Sequence, residues 1–365
     1  MRFTIQFLSM LATTMLVSGC VDGGSGSDAI EEPVNPAVTL EAAVQQVVDN
    51  AIVPSVQAFL ADTEELHAAS TAFCAAPDEV MLSAMQNSWR ATFEQWFRLS
   101  MYNFGPLDDD IVFPPFTFID SLRLRGTDYL ETVRSENATD INSGRDLDDA
   151  YFASKTFQRV GLLALESAIF ETSTPEHSSN PDEVLAEFAF QPRKCDVLQG
   201  LSGQLVERAR YVENGWLAAH RDSELPYRTL FLDGQLDEDG TEPLSQILIS
   251  AQGYLDYLQT RRVVATAGQV SMHAWEATTA TIDEVELLLL GNQDTTDSLF
   301  DVMEATGNQN AIAAVEDSIA QVRQAIAARD LDMLEISLGF LDGNFKREIP
   351  DSLEVELGIN FSDGD

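Results

Sequence analysis

A chain of 365 residues with 60 Asp and Glu against 21 Lys and Arg carries a net charge of -39, a field that repels nucleic acid and so excludes DNA or RNA as partners. Hydrophobic residues at 45% and charged residues at 22% are the proportions of a folded globular protein, with length for one large domain or two modest ones. The acidity reads as a solvated surface that keeps the chain soluble and attracts cations only loosely. Residues 1–20 read MRFTIQFLSMLATTMLVSGC. Arg2 supplies a short positive segment, and Phe7 to Val17 form an apolar stretch too short to span a bilayer as a permanent helix. Small residues, Val17-Ser18-Gly19, stand before Cys20. This is the pattern of a lipoprotein signal peptide: residues 1–19 are removed and Cys20 takes the lipid anchor. An ordinary signal peptide with an incidental cysteine is the alternative.

Residues 20–37 are rich in Gly, Ser and Asp, lack an apolar period and read as a flexible tether. Val21 does not look like an inner-membrane retention residue, so the anchor is expected in the outer membrane, facing the periplasm. With Cys20 lipidated, Cys74 and Cys195 remain, and an oxidising compartment would pair them. Such a bridge closes a loop of about 120 residues, a length at which a cross-link stabilises by several kcal/mol. A metal site made from the two distant cysteines is the lesser alternative.

The rest is helical in period. Residues 38–68 predict a helix that Pro54 kinks or splits, and 78–103 a helix with Met85, Trp89, Phe93, Trp96 and Phe97 on one core-facing side. Residues 104–125 break the pattern with three prolines and an acidic triplet; we expect an ordered, irregular loop rich in Pro and Phe. Residues 135–148 read as polar and exposed. A helix over 149–171 is apolar nearly all round and belongs in the middle of a bundle, with Glu166 among its apolar neighbours. Helices follow at 194–220, 243–264 and 268–291. Ile312, Val315, Ile319, Val322 and Ile326, then Leu331, Leu334, Leu338, Leu341 and Phe345, mark two packed helices joined as an antiparallel hairpin near Arg329-Asp330. The fold class is therefore all-α, as two adjacent bundles of four-helix type, residues 38–192 and 193–365, together forming one domain.

Several strings in this order resemble the imelysin family, also called peptidase M75 or insulin-cleaving membrane protease. They are Trp89 followed by Asn103-Phe104-Gly105-Pro106, Gly161-Leu162-Leu163-Ala164-Leu165-Glu166, Arg193-Lys194-Cys195 running through Leu205 to Trp216, and the ending Leu353 to Asp365. The similarity spans about residues 38–365. It implies two helical bundles, a periplasmic or surface location, and an association with iron uptake. Where the family carries Gly-x-His-x-x-Glu, this chain has Leu163 in place of the histidine. Leu cannot ligate a metal, and a metalloprotease needs two or three ligands around a polarised water. No His-Glu-x-x-His, Ser-His-Asp or phosphate-loop pattern occurs, and His67, His177, His220 and His273 are scattered.

The reading is a binding or accessory lipoprotein, linked to iron uptake and its components, holding a ligand, iron or another divalent metal, between the bundles. Gly161 and Glu166 are the candidate functional residues, with Glu166 the one side chain that would reach a metal. An isolated carboxylate in apolar surroundings must find a partner or shift its pKa, and Arg159 or Arg123 is the expected partner. A metallopeptidase is one alternative. A structural or protein-interaction lipoprotein, using exposed Phe and Pro of the 104–125 loop (Phe104, Gly105 and Pro106 among them), is the other.

Overall fold

The computed structural model describes residues 38–110, 112–120, 128–233 and 241–357; Cys20, Arg123 and the ending 358–365 lie outside them. The regular elements of the described residues are all helical, with no strand among them. Helix α1 (Leu40–Val47) continues through a π turn (Val48–Ile52) into α2 (Val53–Ala75). The π turn directly precedes Pro54, whose missing N–H cannot serve the ordinary helical bond, so the chain widens one turn and continues. The Asp78 side chain accepts from Met81 N at 2.8 Å and starts α3 (Glu79–Leu99), which ends in a 3-10 turn, Ser100–Tyr102. Its aromatic stripe is buried as the spacing predicts.

The 104–125 loop is more built than the sequence implied. It holds a 3-10 turn (Gly105–Asp108) and a short helix α4 (Pro115–Ile119). Phe104 and all three prolines, Pro106, Pro114 and Pro115, are buried; of its phenylalanines only Phe113 is exposed, at 52%. The expected surface of Phe104 and Pro106 is therefore corrected to core, because both pack on Trp216 and its neighbours. Residues 135–148, expected to be exposed, contain most of α5 (Leu130–Asn142), which buries Asn137, Asp140 and Ile141. The predicted helix over 149–171 is broken into α6 (Asp149–Ala153), a 3-10 turn (Phe157–Arg159) and α7 (Gly161–Phe170). The break turns Lys155 inward, 2.5 Å from Glu136 and 2.7 Å from Asp140. All ten residues of α7 are buried, the central position that its two apolar sides require.

Helices α8 (Pro181–Phe190), α9 (Arg193–Leu217) and α10 (Tyr227–Asp233) follow, then α11 (Thr241–Thr260), α12 (Val263–Thr266), α13 (Ala274–Leu290) and α14 (Leu299–Ala305). The hairpin is α15 (Gln309–Ala328) and α16 (Leu331–Lys346), before α17 (Glu348–Ser352). Arg329 takes the left-handed conformation that ends α15, and the Asp330 side chain caps α16. The short helices α8, α10 and α14 carry too few turns for a period to show. One bundle is built from α2, α3, α7 and α9, with α5 on α7; the other from α11, α13, α15 and α16. Helix α13 packs on α3 and forms the seam. Helix α9 thus packs with helices of the N-terminal half, and the Cys74–Cys195 disulfide ties its first turn to the end of α2.

Candidate functional site

Gly161 opens α7 at φ +82°, a backbone region that side chains rarely adopt. A Cβ there would stand 2.5 Å from Ile119 O and 2.6 Å from Phe118 O, so the glycine lets the end of α4 lie directly on the start of α7. One turn further in, the helix is held from two sides. Trp89 Nε1 donates to Leu162 O at 3.1 Å from α3, and Asn137 Nδ2 to Ala164 O at 3.0 Å from α5. Leu163 is buried in the core.

Glu166 is 1% exposed. Its Oε1 accepts from Val270 N at 3.1 Å and Ser271 N at 2.8 Å, in the turn that leads into α13. Burial pushes its carboxyl up from 4.5 to about 7, against the pull of the Ser271 and Val270 donors; the Glu171 charge adds to the rise. No arginine reaches it among the described residues. Arg159, one expected partner, is half exposed and pairs with Glu136 at 3.1 Å, because the break before α7 turns it away from Glu166; Arg123 lies outside the described residues. The partner of the carboxylate is backbone from the other bundle, which no side-chain pattern announces.

The folded chain keeps the Glu166 proton up to about pH 7, where an unfolded glutamate releases it near 4.5. Stability from this group is therefore complete below about 4.5, falls as pH rises to 7 and stays lost above, a change of about 3 kcal/mol at most. Glu166→Gln keeps an acceptor for both amides and should flatten this part of the profile. A melting difference between variant and wild type that is constant from pH 5 to 8 would refute the assignment.

Next to this helix end lies an ionic cluster that the sequence reading missed. Arg134 meets Glu171 with two hydrogen bonds, 2.8 Å and 2.7 Å, and Ser167 Oγ donates to the same carboxylate at 2.8 Å. Lys194, 1% exposed, donates to Glu171 O at 2.8 Å and Glu187 Oε2 at 2.5 Å. A lone lysine gives no signal in sequence; only the turn between α8 and α9 brings Glu187 to it. Phe104, Gly105 and Pro106 meet the last turns of α9: Phe104 packs on Trp216 with ring centroids 5.8 Å apart, and a Cβ on Gly215 would be 2.6 Å from Pro106. Gly105, at φ +58°, lies against the Tyr227 ring.

An open cleft of about 830 Å³ lies between α2, α6 and α9, not between the bundles, with His67, Asp149, Asp196, Gln199 and Gln204 on its walls. The histidines lie apart from one another: His67 meets Ser202, His220 meets Asp109, His273 meets Glu94 at 2.6 Å and stands 3.7 Å from Glu276, and His177 stands 3.4 Å from Thr172 O. Among the described residues no three His, Cys, Asp or Glu side chains are grouped to hold a metal ion. Iron or another divalent metal at Glu166 does not fit either, since Leu163 offers no donor and backbone N–H groups already occupy Oε1. No described helix is long and apolar enough to cross a membrane.

The strings that set this geometry are those of one family, and the comparison agrees: the imelysin (peptidase M75) family model matches residues 52–348, most of the chain. This chain belongs to the imelysin family. Two solved structures share the imelysin fold with it, each at 14% identity. The imelysin-like protein of Psychrobacter arcticum 273-4 aligns over 88% of this chain and 97% of its own, with TM-score 0.64. A candidate iron-regulated protein A precursor from Parabacteroides distasonis ATCC 8503 aligns over 86% and 95%, with TM-score 0.56. No curated protein matches significantly. Within this imelysin, Gly161, Leu163 and Glu166 all lie on α7, inside the matched residues.

Proposed function

We propose that this imelysin is a lipid-anchored envelope protein, tethered through Cys20 to the outer membrane on its periplasmic side, that serves iron uptake by binding and not by peptide hydrolysis. One observation carries the reading: Glu166 is spent on the amides of Val270 and Ser271, and Leu163 stands where the motif that the sequence resembles has its histidine. A hydrolytic metal centre needs ligands around an open position with a polarised water, and this helix supplies neither a nitrogen donor nor a free carboxylate oxygen pair. What remains is a rigid frame. The cleft on the first bundle, with its carboxylates and His67, has the size of a small-ligand site and suits a polar, cationic ligand. The link to iron rests on the Parabacteroides distasonis protein, described as iron-regulated.

The test uses the soluble form beginning after Cys20. Incubated with an unfolded protein substrate, it is expected to leave the substrate intact with or without added divalent metal. Cleavage that a chelator abolishes would restore the peptidase. In cells, Cys20→Ala is expected to abolish fatty-acid labelling and membrane association. Growth on scarce iron that is unaffected by deleting the chain would sink the iron link while leaving the anchor standing.

A further inference from the structure

Glu284 lies on α13, on the seam where the two bundles meet, and is buried. Tyr102 Oη, from the turn that ends α3, donates to its Oε1 at 2.8 Å. Arg98 of α3 stands 3.6 Å from its Oε2 and, with another nitrogen, 3.1 Å from Asp283 Oδ2. Arg323 of α15 binds Asp283 at 2.8 Å and Glu286 at 2.6 Å from the far side. Facing Glu284 are therefore one cation from α3, one phenol from the 3-10 turn, and its own neighbour Asp283, whose charge Arg98 and Arg323 share. The remaining elements on the seam bring no second cation to it among the described residues. The π turn contributes Asp49, engaged with Arg228 at 2.6 Å. Helix α11 contributes the Tyr254 ring, which packs on Phe97. Thr281, one turn before Glu284, donates to Phe97 O at 3.4 Å, so this stretch of α13 touches α3 closely.

The geometry points to a proton-operated joint: the seam between α3 and α13 is firm while Glu284 carries its proton and becomes compliant when that proton leaves. The chemistry is a single ionisation, Glu284–COOH to carboxylate with the proton released to solvent. The protonated acid is neutral in an apolar seam and keeps Tyr102 as a donor. The carboxylate places a charge there that one arginine at 3.6 Å, already shared with Asp283, offsets only in part. Local opening lets water reach the carboxylate, so opening is favoured by the form that burial disfavours.

The direction in pH follows. Burial raises the Glu284 carboxyl from 4.5 to about 7, with Tyr102 and Arg98 pulling it down and Asp283 pushing it up. The closed seam thus binds a proton that the open seam releases. Closure is at full strength below about 4.5, weakens as pH rises to 7, and stays weak above, each unit within that window changing the opening constant by about tenfold at most. This inference does not depend on what the protein binds.

The test is amide hydrogen exchange of the full folded chain, corrected for intrinsic rates, on peptides covering 274–290 at pH 5 and 7.5. In the wild type the opening constant of these amides is expected to rise by about tenfold or more. Glu284→Gln keeps a carbonyl for Tyr102 and has no proton to lose; made in a Glu166→Gln background, which removes the other proton held in this pH window, its opening constant is expected to be the same at both values. Tyr102→Phe removes a donor that favours the carboxylate, so it is expected to move the midpoint of the rise to higher pH. A wild-type opening constant that does not change, a Glu284→Gln variant in that background that repeats the wild-type rise, or an unmoved midpoint in Tyr102→Phe would each overturn the joint.

Discussion

Cys74→Ser is expected to cost about 5 kcal/mol of unfolding free energy, the chain-entropy value for releasing a loop of about 120 residues. The bridge joins the end of α2 to the start of α9, with Cα atoms 5.7 Å apart and a sequence separation of 121. For a domain of this size that corresponds to a fall of roughly 7 °C in Tm. The measurement is denaturant unfolding of the variant beside the wild type, each with and without reductant. Reductant should lower the wild type to the level of the variant and leave the variant unchanged. A loss below 1 kcal/mol would mean that the unfolded chain is not relieved by cutting the link, and the entropic account would fail.

Arg134→Leu is expected to cost 3 to 5 kcal/mol, roughly the effect of stranding one buried charge. Glu171 is 1% exposed, and the two Arg134 hydrogen bonds and Ser167 are what it has in place of water. The surface partner Glu131, 2.6 Å from Arg134, adds little, because its own side chain is exposed. The double variant Arg134→Leu with Glu171→Met should recover most of the loss, since removing both members of a buried pair leaves no uncompensated charge. Urea denaturation of the two single variants and the double variant gives the coupling directly. Equal costs for Arg134→Leu and the double variant would show that packing, not charge, dominates at that corner. Lys194 beside it is held low by burial, against the pull of Glu187, so the two ion pairs together make this end of the bundle sensitive to single substitutions.

The architecture was legible where apolar spacing is long and regular. The α3 aromatic face, the α15–α16 hairpin and the all-round apolar α7 were each visible as periods, because burial of a helix face requires a side chain every three or four residues. Pro54 marked an irregularity in the first helix through its missing donor, but the expected kink or split is a π turn through which the helix continues. The sequence was less informative where a few polar residues do the packing. Helix α5 looked exposed because two of its buried positions are the polar Asn137 and Asp140, whose partners are an α7 carbonyl and Lys155. The break at 154–160 was invisible because apolar spacing continues through it, while Lys155 and the left-handed Gly161 set the actual turn.

At the candidate site the contrast is sharper. Residue identity alone determined that Leu163 cannot ligate a metal, that Glu166 sits in an apolar helix, and that Cys74 and Cys195 are a pair available for bonding. Only the tertiary structure decided that Glu166 meets the amides of Val270 and Ser271 in place of Arg159, and that Glu284 shares its seam with Tyr102 and Arg98. A period along the chain reports which face of a helix leaves water. It carries no record of which backbone, a hundred residues away, arrives to take up the hydrogen-bonding capacity of a group that leaves water with it.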